Sequence, residues 1–79
     1  MTDDRDDELK ETELLVLEAQ LAVDRQRRIV MELQEKGEDA FEAKRVLLRF
    51  TEVLTMHEQN RDALRASESM AERSVRTSR

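Results

Sequence analysis

The stretch that decides the fold is "KGEDAFE", Lys36 to Glu42. It holds the single glycine of the chain, which contains no proline. Glycine reaches the left-handed backbone conformation without a Cβ penalty, so it often stands where a helix ends. Asp39 follows two residues later, with Glu42 three beyond it. An aspartate carboxylate accepts orphan amide hydrogens of a first helical turn, and a glutamate at the third position reaches back toward the cap. One helix therefore stops and another starts across residues 37–39. So short a connection turns the second helix back along the first.

Outward from this turn, nothing breaks a helix between Leu9 and Lys36, or between Ala40 and about Ala66. The sequence predicts an all-α fold: an antiparallel two-helix hairpin of coiled-coil type, with helices over 9–36 and 40–66. Residues 1–8 hold five acids, Asp3, Asp4, Asp6, Asp7 and Glu8, against Arg5. They read as a flexible lead-in whose charge favours the positive end of the helix dipole. Residues 67–79, "SESMAERSVRTSR", are polar and weakly patterned, with a basic end at Arg73, Arg76 and Arg79. They read as a frayed or disordered tail.

Composition bounds the function. With 79 residues the chain forms one small domain, and 42% charged residues with 3% aromatics suit long helices. Without cysteine there is no disulfide and no thiolate metal site. The longest apolar run, Leu14 to Leu17, is far short of the ~20 residues that span a bilayer. The acidic start differs from a signal peptide, and a cytoplasmic protein is expected. A net charge of −5 argues against broad affinity for nucleic acid or anionic membrane.

Three-and-four spacing sets the expected register. On helix 1 it selects Thr12, Leu15, Ala19, Ala22, Gln26, Ile29 and Leu33. On helix 2 it selects Ala43, Leu47, Phe50, Leu54, His57, Arg61 and Leu64. Both are heptad seams that pack at a shallow angle. Val16, Val23 and Val30 run beside the first seam, and Val46 and Val53 beside the second. These five read as a self-association flank, through which two hairpins close a dimeric four-helix bundle. Leu14, Leu17 and Leu21, with Phe41 and Leu48, lie further out. They are candidates for an outer interface, either within a larger homo-oligomer or with a different protein.

The remaining candidates are weaker. His57 opens "HEQNR", which departs from a zincin motif where Arg61 stands. One histidine without cysteine does not close an ordinary zinc site within one chain. His57 is expected to bond a nearby carboxylate in the seam. Arg61 is expected to pair across the seam with Glu18 or Glu11. Arg25, Arg27, Arg28, Lys44, Arg45 and Arg49 form the densest basic patch and are candidate phosphate contacts. They lack an interleaved aromatic for base stacking. No phosphate loop, cofactor motif or activated nucleophile is present, and no enzyme or cofactor is expected.

The core "RQRRIVMELQEKGEDAFEAKRVLLRFTEVLTMHEQNRDAL" resembles a group of short uncharacterised proteins from alphaproteobacteria. The shared positions are Arg25, Gln26, Arg27, Gly37, Asp39, Ala43, Leu47, Leu48, Phe50, His57 and Arg61. The resemblance covers about half of the chain, and the leucine-rich N-terminal third lies outside it. It implies a bacterial cytoplasmic helical hairpin and brings no activity. The functional expectation is a non-enzymatic protein–protein interaction module, an adaptor or regulator that binds itself and another protein. An RNA-binding bundle using the basic patch is the runner-up.

Overall fold

A computed structural model describes residues 4–77, with the side chains of residues 7–70. It contains two helices, α1 (Asp4–Glu35) and α2 (Phe41–Thr77). They form an all-α antiparallel hairpin. No described helix is long and apolar enough to cross a membrane.

The turn is built as its residues dictate. Gly37 sits at φ 72°. Its amide donates to the Gln34 carbonyl at 3.1 Å, and the Glu38 amide donates to the Leu33 carbonyl at 2.8 Å. These two bonds make a Schellman motif, which satisfies carbonyls that the end of α1 would leave open. Asp39 then caps α2: its Oδ1 accepts the Phe41 amide at 3.0 Å. Ala40, between cap and helix, is buried. The Glu42 carboxylate lies 3.6 Å from the Arg45 guanidinium.

Both helices exceed their expected limits. α1 begins at Asp4 rather than Leu9, and α2 continues to Thr77 rather than stopping near Ala66. Acids stabilise a first helical turn, and no residue of "SESMAERSVRTSR" stops a helix, since glycine and proline are absent from it. The rest of the expected lead-in and tail, residues 1–3 and 78–79, lies outside the described residues.

The seam of α2 is the expected one: Ala43, Leu47, Phe50, Leu54, His57, Arg61 and Leu64 are all half-buried. The seam of α1 differs in every second layer. Thr12, Ala19, Gln26 and Leu33 lie in it as expected, but they alternate with Leu9, Val16, Val23 and Val30. Val16, Val23 and Val30 are the buried apolar residues of α1, and Val23 is only 2% exposed. Leu15 and Ile29, expected in the seam, are 38% and 41% exposed. The reason is volume. α2 brings Leu47, Phe50 and Leu54 to the seam, and close-packed layers match large residues with compact ones. Compact valines therefore turn inward, and the bulkier Leu15 and Ile29 are displaced to the side.

The result is one layer thick. The Cα envelope measures 66 × 22 × 14 Å. Domains ordinarily bury their apolar faces between two or more layers.

Candidate protein-binding surface

The corrected register sorts the exposed side chains into two broad faces and two edges. Rows beside the seam, at seven-residue spacing, define the faces. One face carries Glu13, Gln20, Arg27 and Gln34 from α1, opposite Lys44, Thr51, Glu58 and Arg65 from α2. Arg65 Nη2 donates to Glu13 Oε1 at 2.9 Å, which ties the two rows together. This face is polar throughout.

The other face is apolar along most of its length. It carries Leu15 and Ile29 from α1, with Ala22 half-buried between them at the margin of the seam where it was expected, beside Val46, Val53 and Asn60 from α2. Leu15 and Asn60 line the same shallow open cleft, together with Glu8, Glu11, Thr12, Ala63 and Leu64, which places both rows on one side. Val46 and Val53 are 37% and 43% exposed. These intermediate values are those of residues flanking a seam whose outer sides have no cover.

The expected self-association set is thus divided. Val16, Val23 and Val30 lie between the helices of one hairpin and are unavailable to a second chain. Val46 and Val53 remain on the surface, and their neighbours across the hairpin are Leu15, Ala22 and Ile29. The row choice on α1 was the missed signal: two apolar rows stand side by side there, and only the bulk of the α2 residues separates them.

Leu14, Leu17 and Leu21 are all more than half exposed, as are Phe41 and Leu48. Leu14 and Leu21 form the outer edge of α1, turned away from α2. Leu17 stands between that edge and the polar face, as Phe41 and Leu48 do on α2. The structure does not join the α1 leucines and the α2 pair into one patch, because they lie on different helices at different heights from the turn.

The basic residues do not share a face either. Arg27 and Lys44 belong to the polar face, Arg25 and Arg49 border the apolar one, and Arg28 and Arg45 lie on opposite edges. Arg27 lies 3.8 Å from Asp24, and Arg45 is paired with Glu42. The cations ring the hairpin near its turn rather than forming a track for a phosphate backbone.

Within the seam, the Gln26 side-chain amide donates to the Ala43 carbonyl at 3.0 Å, a polar tie between helices. Arg61 does not pair with Glu11 or Glu18. Its Nε donates to Asp62 Oδ1 at 3.2 Å within α2. The interhelical ion pair is made one turn away, by Arg65. His57 is half-buried and, among the described residues, bonds no carboxylate. Among the described residues, no group of three or more histidines and acids is arranged to hold a metal ion.

No family model matches the chain, and no match was found among curated proteins or solved structures.

Proposed function

We propose that this chain is a non-enzymatic protein–protein interaction module, an adaptor or regulator that works by associating through the apolar surface of its hairpin. One observation carries the reading: many of the large apolar side chains lie outside the seam. Leu14, Leu15, Leu17, Leu21, Ile29, Met31, Phe41, Leu48 and Met56 are all exposed, while the buried apolar residues are three valines and an alanine. A hydrophobic surface of this extent on a small chain marks a site where another protein docks.

The excess can be sized. The chain exposes 6690 Å². A compact monomer of its 9.3 kDa would expose about 5000 Å². The surplus of about 1700 Å², polar and apolar together, follows from the single-layer shape and is of the size one subunit commonly contributes to an obligate interface.

Mass action tests this reading. Binding that favours the folded state makes the melting temperature rise with concentration. The midpoint followed by circular dichroism should therefore climb as chain concentration is raised a hundredfold. Helical protein with a constant midpoint and a monomer's sedimentation mass would count against self-association. A pull-down compared with Leu14→Glu/Leu21→Glu then tests whether the outer edge of α1 takes a second, different protein.

A further inference from the structure

We propose that the broad face of Leu15, Ala22, Ile29, Val46 and Val53 is covered by a second copy of this chain turned end for end, with Ala22 and Val53 at the two-fold axis. The proposal rests on the interaction-module reading and names the occupant of one face and its geometry.

Three observations point to a second copy. The first is shape. Two single-layer planks stacked on their apolar faces become a two-layer bundle, the least arrangement that encloses a core. The second is symmetry. Ala22 stands midway between Leu15 and Ile29, and Val53 midway between Val46 and Asn60. An isologous contact needs a self-complementary surface, in which each residue meets its counterpart across the axis. End-for-end stacking places Leu15 over the partner copy's Ile29. It also sets Val53 against Val53, and Ala22 against Ala22. The small central alanines let the two α1 helices approach, while the larger residues fill the layers on either side.

The third is charge. The row bordering the apolar face on α1 is Glu11, Glu18, Arg25 and Glu32. Among the described residues, Glu18 and Arg25 have no ion-pair partner within the hairpin. End-for-end stacking sets each Glu18 beside the other copy's Arg25, giving two opposite-sign contacts near the centre. It also sets Glu11 beside Glu32, a like-sign contact made twice, so two attractive contacts stand against two repulsive ones. The competing arrangement aligns both turns at one end and lays α1 over the other copy's α2. That brings Arg25 against Arg49 and Glu32 against Glu42, twice each, with no opposite-sign pair. Like charges placed opposite each other select against an arrangement.

The absence of native cysteine makes the test direct. Single variants Ala22→Cys, Val53→Cys and Gln20→Cys are oxidised under native conditions, beside sedimentation of the unmodified chain. Ala22 and Val53 are small, so both variants keep the hairpin, which circular dichroism checks. The expected result is a dimer mass, with Ala22→Cys and Val53→Cys each forming a disulfide with its own copy. Both should form about thirtyfold faster than Gln20→Cys on the polar face, the ratio of a millimolar effective concentration to tens of micromolar in bulk. A helical monomer overturns both this proposal and self-association. A dimer in which Ala22→Cys links to Val53→Cys, but neither links to itself, overturns the end-for-end geometry alone. A dimer in which Gln20→Cys links fastest overturns the choice of face, while the interaction-module reading stands.

Discussion

Replacing Val23 by alanine tests whether the valine row of α1 faces α2. Val23 is 2% exposed, whereas Leu21, on the same turn of the same helix, is 55% exposed. The substitution removes two buried methyl groups, about 1.6 kcal/mol at ~0.8 kcal/mol per methylene-sized group. A rigid core would add a cavity term, but this seam is flanked by exposed residues and closes with little resistance, so that term is small. Alanine regains about 0.5 kcal/mol of helix propensity over valine. The net cost is therefore about 1 kcal/mol, or about 4–8 °C in melting temperature for a chain of this size. Leu21→Ala loses a side chain already more than half in water and should change stability by less than about 0.5 kcal/mol. Urea unfolding followed by circular dichroism, with chain concentration held equal, measures both. The reasoning fails if Val23→Ala is neutral while Leu21→Ala lowers the midpoint. That outcome would place the leucine row against the second helix and the valine row outside.

Three further substitutions probe the turn and the polar face. Gly37→Ala meets no atom within 4 Å, so its cost is the backbone strain of an L-residue at positive φ, about 1 kcal/mol by thermal melting, and Gly37→Asn should cost less. Asp39→Ala removes the acceptor of the Phe41 amide and should cost about 1 kcal/mol, with helix fraying seen as faster amide exchange at Phe41. Arg65→Gln breaks the ion pair with Glu13, whose side chains are 54% and 44% exposed; it should cost no more than about 0.5 kcal/mol, a difference that disappears at high salt.

How legible each part was follows from whether its cause is local. Gly37 and Asp39 act on their own backbone and their near neighbours, so the turn could be read from seven residues. The α2 seam was legible because its alternatives are poor: the rows beside it hold charges, Thr51 and Asn60 as well as Val46 and Val53. On α1, the valine row and the Leu15–Ala22–Ile29 row satisfy the same three-and-four spacing and share Thr12, Ala19, Gln26 and Leu33. The choice depends on the bulk of Leu47, Phe50 and Leu54, a property of the other helix. Arg61 was misassigned for a related reason. Its neighbour Asp62 competes for the guanidinium at no cost in chain ordering, and a spacing argument across the seam does not register that competitor. The apolar face was partly visible in Val46 and Val53, but its α1 half emerged only once the valine row was known to be inside.

The distribution of side-chain size gives the hairpin its meaning. A hairpin that folds for its own sake would place its leucines and isoleucine in the seam, where each fully buried side chain contributes about 1.5–3 kcal/mol. Here the α1 seam holds Thr12, Ala19, Gln26 and three valines with Leu9 and Leu33, while Leu15 and Ile29 stand outside it. The α2 seam includes His57 and Arg61, both only half-buried. Such a seam fixes which helix lies where, and the Gln26 tie to the Ala43 carbonyl helps to fix the register, but it leaves much of the hydrophobic driving force unspent. Leu15 and Ile29, displaced to the apolar face, contribute in full only when that face is covered. Hairpin order and association are then coupled. In the proposed dimer the second copy supplies the layer that one chain lacks, and Leu14 and Leu21 at the outer edge of α1 lie beyond that layer.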